Sequence, residues 1–257
     1  MELADGADDL SFARFGATDL KTETKLDDTP VTEVDRAIEQ MMRTHLARHR
    51  PDDAVHGEEF GTDGAARRTW LLDPIDGTKG YMRGIPVFAT LIALVEDGLP
   101  VVGVVSAPAL HRRWTAVRGG GARLNGDAIS VSAVADLDEA HLSVNDLRTF
   151  DDFGHGVAAR QLARSVWRVR GFGDFWSHML VAEGAVDIAV EPVVHPWDLA
   201  ALQVIVEEAG GTFSDLGGRR GFTGGSALST NGRLHDAVLA MFGAAVLSDD
   251  TVPEDRD

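Results

Sequence analysis

The octapeptide Leu72-Asp73-Pro74-Ile75-Asp76-Gly77-Thr78-Lys79 constrains this 257-residue chain more than any other stretch. Two carboxylates three positions apart flank a proline and run straight into Gly-Thr. Trp70-Leu71-Leu72 ahead of them is a short apolar run suited to a buried strand. Pro74 fixes its own φ and biases Asp73 toward extended backbone, so the acids leave the strand end in a set geometry. Gly77 and Thr78 then open a helix whose free N–H groups favour an anion. Paired oxygen ligands beside an anion cradle are the elements of a metal-dependent phosphate site. The lesser reading of the octapeptide alone is a strand-to-turn corner with acidic turn residues.

The rest of the chain limits the possible partners. A formal charge of −17 repels nucleic acid and anionic membranes, so neither is expected as a partner. Part of that charge is assigned to a ligand cluster neutralised by bound cations, and the remainder to solvated surface. No run of about 18 apolar residues marks a membrane span. The acidic Met1-Glu2-Leu3-Ala4-Asp5 lacks the layout of a signal peptide. The absence of cysteine rules out disulfides and thiolate metal sites and suits a reducing cytoplasm, the expected location. The nine histidines lack zinc-site spacing and read as structural or surface residues.

Periodicity divides the chain into an α+β half, residues 1–136, an α/β half, 137–245, and an acidic tail, 246–257. Residues 1–9 read as frayed, with a helix from about Asp8 to Thr22. A second helix starts at Thr32, with Val34, Ile38, Met41, Met42, His45 and Leu46 at helical spacing. Val87 to Val95 and Val101 to Val105 form a hairpin across Glu96-Asp97-Gly98-Leu99-Pro100, and a strand follows near Arg113 to Val117. Beyond residue 137 the pattern predicts a helix at 155–164, a strand at 166–170, a helix at 174–183, a strand at 186–190 and a helix at 197–209. Asp249, Asp250, Glu254 and Asp255 read as a solvated tail.

Two distant segments sharpen the reading of the octapeptide. His56-Gly57-Glu58-Glu59-Phe60-Gly61 lies upstream. Downstream, His195-Pro196-Trp197-Asp198-Leu199-Ala200-Ala201 begins a helix ending at Glu207-Glu208-Ala209-Gly210-Gly211. Gly-Glu-Glu, Asp-Pro-Ile-Asp-Gly-Thr, and Trp-Asp ahead of Glu-Ala-Gly-Gly, in that order, resemble the inositol-monophosphatase superfamily of magnesium-dependent, lithium-sensitive phosphatases. The resemblance spans roughly residues 10 to 243. It implies a five-layered α-β-α-β-α sandwich with the active site between the halves, and it suggests a homodimer.

The resemblance also implies roles for individual residues. Glu58, Asp73 and the Ile75 carbonyl would hold one Mg2+, and Asp73, Asp76 and Asp198 a second. A third ion would need Asp35. Magnesium keeps bound waters, which suits hydrolysis without a phosphoenzyme. Asp198 alone also reads as a helix N-terminal acid. Glu59 ranks below Glu58, because paired glutamates usually supply one ligand and one orienting partner. Lys25-Leu26-Asp27-Asp28-Thr29-Pro30-Val31-Thr32-Glu33-Val34-Asp35 resembles the family's upstream segment, in which Asp35 and Thr78 orient and deprotonate the attacking water. Asp35 is equally a capping-box partner of Thr32. Lys25 reads either as reaching an acidic site or as a surface lysine, and Lys79 and Arg83 as screening the ester or as surface residues. The amides of Gly77 and Thr78 would take the phosphate.

The alcohol half of the substrate falls to Arg170-Gly171-Phe172-Gly173-Asp174 and Glu191-Pro192, which line the pocket in the family. Asp174 also suits a helix N-cap, and Glu191 a strand end. Two acids at the alcohol end suit a cationic ester such as L-histidinol phosphate. Ile85 to Leu94, Pro108 to Trp114 and Gly173-Asp174-Phe175-Trp176 look more like the histidinol-phosphatase branch than the inositol branch. Lys79-Gly80-Tyr81-Met82-Arg83 resembles instead the branch acting on 3′-phosphoadenosine 5′-phosphate. Leu202 is bulkier than the small residue common in inositol-type members. The order of expectation is histidinol phosphate, inositol 1-phosphate, then the adenosine bisphosphate. A non-catalytic magnesium- or phosphate-binding protein is the alternative, although Glu58, Asp73, Asp76, Thr78 and Asp198 are all present.

Overall fold

The computed structural model describes residues 1–25 and 29–249. The chain opens with helix α1 (Glu2–Arg14), the antiparallel pair β1 (Thr22–Thr24) and β2 (Pro30–Thr32), and helix α2 (Glu33–His49). Strands β3 (Ala54–Gly57), β4 (Gly61–Asp63) and β5 (Arg68–Asp76) follow, then the single turn α3 (Thr78–Tyr81). Next come β6 (Ala89–Glu96), β7 (Leu99–Ala107), β8 (Arg112–Val117), β9 (Ala122–Leu124) and β10 (Asp127–Ala128). These make one eight-stranded sheet in the order β10-β9-β8-β7-β6-β5-β3-β4.

The remainder runs β11 (His141–Val144), α4 (Leu147–Asp152), α5 (Gly156–Ser165), β12 (Arg168–Arg170), α6 (Asp174–Ala182), β13 (Ile188–Glu191), α7 (Pro196–Glu208), β14 (Thr212–Ser214), β15 (Ala227–Thr230) and α8 (His235–Asp249). Its five strands lie in the order β12-β11-β13-β15-β14. β12, β11 and β13 are parallel, so their carboxyl ends open on one side, where ligands of α/β sheets collect.

Three apolar clusters give the layers. Leu3, Ala4 and Ala7 of α1 join Ile38 and Met42 of α2 against Leu72 and Ile92 of the first sheet. Between the sheets, Met179 of α6 and Leu199, Val204 and Ile205 of α7 pack with Leu91, Val105 and Trp114. On the far face, Phe150, Leu162, Val238 and Phe242 cover Leu142, Ile188 and Leu228. The result is the five-layered α-β-α-β-α sandwich.

Several local expectations need correction. Residues 2–9 are helical rather than frayed, and the helix predicted over Asp8 to Thr22 runs instead from Glu2 to Arg14. Leu3, Ala4 and Ala7 are buried, and Arg113 clamps the helix through Asp5 and Asp8, both at 2.6 Å. Glu2 and Asp5 in its first turn suit the positive end of the helix. At the other end α8 carries the backbone through Asp249, into the segment expected as tail. Asp250, Glu254 and Asp255 lie outside the described residues.

Glycine sets the distance between α7 and the first sheet. A Cβ at Gly103 on β7 would stand 2.4 Å from Val204 Cγ1 and 2.7 Å from the Ala201 carbonyl oxygen, so the helix seats on the strand only because Gly103 has no side chain. Gly103→Val is expected to cost about 1–3 kcal/mol through overpacking, read as a lower urea midpoint at unchanged m-value. An unchanged midpoint would show that α7 is free to shift.

Candidate active site

The register of β5 explains how two acids three residues apart reach the same space. Asp73 pairs with Leu91 of β6 and Asp76 with Ala89, so three steps on β5 oppose two on its partner. Regular alternation would send residues i and i+3 to opposite faces; one bulged residue restores the same face. Pro74 tolerates that place because it has no N–H to lose, and its carbonyl accepts from Thr90 Oγ1 at 2.7 Å. Gly77 follows at φ +85°, where a Cβ would meet the Val87 carbonyl oxygen at 2.9 Å and lie 3.3 Å from Asp174 Oδ2. Because α3 has only four residues, any anion held here would rest on individual amides rather than on a long helix dipole.

The other acids arrive from separate elements. β3 is parallel to β5, and the Glu58 N–H donates to the Leu72 carbonyl at 3.1 Å, which fixes Glu58 beside Asp73. Asp198 sits in the first turn of α7, where its Oδ2 accepts the His195 N–H at 2.9 Å. The Trp197 ring lies 4.8 Å from His195 and 5.3 Å from His56, tying the start of α7 to β3. The Phe175 N–H donates to Asp76 Oδ2 at 2.6 Å, linking α6 to the end of β5.

These acids disturb one another. Asp73 is held well above the ordinary carboxylate range, first by burial and then by the charges of Glu58, Asp76 and Asp198. Asp76 is raised likewise by burial and by Asp174 and Asp198, partly offset by the Phe175 N–H. Burial, with Glu58, Glu191 and Asp174 behind it, lifts Asp198 to about 8 against the pull of the His195 N–H. Asp174 is pushed up to about 6 by burial and Glu191, against a hydrogen bond from Asn145. Oδ1 of Asp73 is buried with no partner.

Crowded carboxylates that repel one another, one of them with a buried oxygen that lacks a donor, match a divalent cation. Among the described residues, however, no three acidic or histidine side chains converge into a finished cation cage. Glu58, Asp76 and Asp198 are each held by another partner. Lys25 is the cation that is present, 2.7 Å from Glu58 Oε1 and 2.6 Å from Glu59 Oε1. It therefore reaches the acidic site rather than lying loose on the surface. Glu59 lifts to about 7 because burial outweighs its bond to Lys25.

Asp35 shows both features anticipated for it. It completes a capping box with Thr32, and Thr78 Oγ1 lies 3.4 Å from Asp35 Oδ1. The Thr78 hydroxyl has one proton, and the shorter contact, 2.8 Å to the Ile75 carbonyl, claims it. Burial raises the Asp35 carboxyl, opposed by the hydroxyl and N–H of Thr32. Asp174 is the first residue of α6 rather than its cap, at φ +48°, a region sparsely used by residues other than glycine. Strain of this kind is retained where the surroundings dictate the conformation. Glu191 ends β13, buried, and its Oε1 has no hydrogen bond. Arg170 is not brought to the cluster: it is exposed on edge strand β12 and donates to the Val169 carbonyl at 2.8 Å.

Sequence reasoning does not find Glu39. Fully buried on α2, it accepts the Glu59 N–H at 2.7 Å and the Phe60 N–H at 3.2 Å, and it pairs with Arg43 at 2.7 Å. It thereby holds the turn that presents Glu58. A Cβ at Gly57 would collide with the Glu39 carboxylate at 2.1 Å, which explains the glycine ahead of the paired acids. The signal is an acid placed at helical spacing within the stripe Asp35, Ile38, Met42 and Leu46.

The chain belongs to the inositol monophosphatase family, whose model matches residues 1–246. Proteins of this family are generally metal-dependent phosphatases. Over 250 residues the chain is 54% identical to the histidinol-phosphatase of Mycobacterium tuberculosis, covering 95% of this chain and 96% of that protein. It is 52% identical to the histidinol-phosphatase of Streptomyces coelicolor, with 92% of each covered. Among solved structures, a Thermotoga maritima IMPase superposes with a TM-score of 0.86 at 32% identity, covering 96% of both chains.

The raised carboxyls have a consequence for stability. The folded chain holds a proton on Asp198 more tightly than the unfolded chain, because its value rises from 3.8 to about 8. That contribution is complete below the unfolded value and is lost as pH climbs through about 8; Asp73 and Asp76 act in the same direction. Chelator-treated protein should therefore melt at a lower temperature at about pH 9 than at about pH 7, and magnesium should narrow the gap. The window lies above the range of His56, His141, His155 and His235, whose values are lowered by burial. A melting temperature in chelator that is flat or rising across the window contradicts the assignment.

Proposed function

We propose that this protein is a magnesium-dependent phosphomonoesterase that hydrolyses L-histidinol phosphate to L-histidinol and inorganic phosphate. The observation that carries the substrate is the pair Asp174 and Glu191. Both are acidic and set at the carboxyl side of the parallel strands, and they lie close enough for Glu191 to raise Asp174. A neutral polyol offers two such acids only hydroxyl hydrogen bonds, whereas the ammonium and imidazole of histidinol offer charge-assisted ones. Identities of 54% and 52% to proteins named histidinol-phosphatase support the same reading.

Glu58, Asp73, the Ile75 carbonyl, Asp76 and Asp198 are the groups that would hold two Mg2+ ions, with Asp35 available for a third. When bound, the ions supply an acidified water and neutralise charge on the ester oxygens. The remaining work belongs to the chain. The Gly77 and Thr78 amides orient the phosphoryl oxygens. Thr78 and Asp35 are assigned the relay that aligns the attacking water and takes its proton: the Thr78 hydroxyl turns from the Ile75 carbonyl to Asp35, 3.4 Å away, and accepts the water's proton as it passes its own to Asp35, whose burial favours the protonated form. Lys79 is exposed but lies close enough to draw the Asp174 proton affinity down, and it is assigned as a counter-charge to the ester. No side-chain nucleophile is required, and no phosphoenzyme forms.

A homodimeric assembly, sensitivity to lithium and a cytoplasmic setting complete the proposal. They rest on family likeness and, for the setting, on a sequence without cysteine. Among the described residues no helix is long and apolar enough to cross a membrane.

The test is magnesium-dependent phosphate release from L-histidinol phosphate, myo-inositol 1-phosphate and 3′-phosphoadenosine 5′-phosphate, compared by kcat/KM. A preference for histidinol phosphate of about tenfold or more, about 1.4 kcal/mol of transition-state discrimination, is expected. Preference for another ester overturns the pocket assignment and leaves the metal chemistry standing. Asp76→Asn and Asp198→Asn should each abolish turnover. Turnover that survives either change removes that residue from the ligand set, and no release from any ester by the unaltered protein favours a non-catalytic binding role.

A further inference from the structure

Behind the proposed alcohol pocket lies a histidine that the mechanism above does not use. His178, on α6, is fully buried. Its Nδ1 is 2.6 Å from Ser229 Oγ, and its Nε2 is 3.7 Å from Glu191 Oε1. Neither His178 Nε2 nor Glu191 Oε1 has a hydrogen-bond partner, although both are buried. Two orphaned polar atoms facing each other this deep are uncommon, because each carries a desolvation cost that a closed bond would relieve.

The sheet register places the group. Ser229 of β15 pairs directly with Ala189 of β13, so their side chains share a face, and Glu191 two residues on lies on that same face. α6 covers it, and one turn before His178 on the same helix is Asp174. His178, Glu191 and Asp174 thus line one seam between α6 and β13, with the Phe213 ring 6.1 Å from the imidazole.

The tautomer follows from the partners. A carboxylate facing Nε2 requires a proton there, so in the neutral ring Ser229 donates to Nδ1 and Nε2–H points at Glu191. At 3.7 Å that contact is not yet a hydrogen bond. It is a donor held ready on one side of a carboxylate whose other side is left for a ligand.

We infer that His178, fixed by Ser229, is a positioning residue that aims Glu191 at the cationic alcohol of the ester, and that this relay sets the preference for an amino-alcohol phosphate over a neutral one. The inference rests on the reading of Glu191 as the partner of that alcohol. Among the described residues the polar neighbours of His178 are Ser229 and Glu191, neither of them a proposed metal ligand, so its effect belongs in KM and in discrimination between esters rather than in the hydrolytic step.

The experiment compares kcat and KM for L-histidinol phosphate and for glycerol 2-phosphate, whose alcohol is uncharged. The proteins are the unaltered chain, His178→Phe, His178→Gln, Ser229→Ala, Glu191→Gln and the His178→Phe/Glu191→Gln double variant. His178→Phe should reduce the ratio of the two kcat/KM values by about tenfold, mainly through KM for histidinol phosphate. His178→Gln, which returns an N–H donor, should recover most of that ratio. Ser229→Ala, which keeps the ring and loses its anchor, should reduce the ratio about threefold, and it serves as the test if His178→Phe does not fold. The double variant should be no worse than Glu191→Gln alone, since one residue acts through the other.

The inference fails if the ratio is unchanged in Ser229→Ala and His178→Phe. It fails equally if both esters lose activity together, as a packing role would produce, or if the two losses add in the double variant. An unaltered protein with no preference for histidinol phosphate overturns the substrate reading instead, and the double-variant comparison on the preferred ester still reports whether His178 works through Glu191.

Discussion

Repulsion among buried carboxylates is the interaction on which this structure turns. Asp73, Asp76 and Asp198 come from two parts of the chain and crowd one space in which Asp73 is buried and the other two half-buried, and Glu58 and Asp174 reach its edge. An arrangement like this costs stability in the ion-free chain, and a bound cation would return it. The fold therefore has to hold charges together that would separate in a looser structure. Its rigid parts are placed accordingly. The bulge in β5 turns two acids to one face, the Glu58 backbone is hydrogen-bonded to that strand, and α7 is pinned to the first sheet by the close approach at Gly103.

The restraint is distributed as single bonds of high quality. Asp198 takes one N–H from its own helix start, Asp76 takes one from α6, and the Glu58-Glu59 turn hangs from Glu39, which Arg43 neutralises in turn. Among the described residues not every oxygen of the cluster is satisfied in this way. Asp73 is the extreme case: its Oδ1 has no partner at all. Were every oxygen satisfied internally, the cluster would be more stable and unable to take a ligand. The partial satisfaction of these acids is thus the physical form of a binding site.

Legibility in the sequence follows the range of the forces involved. The Asp-Pro-Ile-Asp-Gly-Thr corner is readable because its geometry is local: proline, bulge and positive-φ glycine act within eight residues. The amphipathic α2 is readable for the same reason, with Ile38, Met42 and Leu46 on one face. α1 is not, since its buried positions are small or weakly apolar, Leu3, Ala4, Ala7 and Ser11 among acids, and its helix is secured by Arg113 from a strand over a hundred residues away. Glu39 and His178 escape notice because only tertiary contact gives them meaning. Lys25 could be assigned to the acids only once β1 and β2 had brought it there. Arg170 shows the converse, a residue in a suggestive segment that the sheet edge turns outward.

The family includes proteins named for different esters, among them inositol monophosphatases related to this chain at 36% and 35% identity. Acids that hold the ions cannot discriminate among substrates that present the same phosphate to them. Discrimination has to come from groups that meet only the alcohol, and the proposed ones sit at the carboxyl side of β11, β12 and β13 and at the start of α6. There the sequence departs from bland pocket chemistry. A strained aspartate at Asp174 faces Glu191, and behind Glu191 stands a buried imidazole with one nitrogen tied and the other free. Burying a second cluster of negative charge so close to the first raises the cost of the whole site. That cost makes physical sense if the ligand brings positive charge of its own, so that the cations offset one cluster and the substrate's alcohol the other.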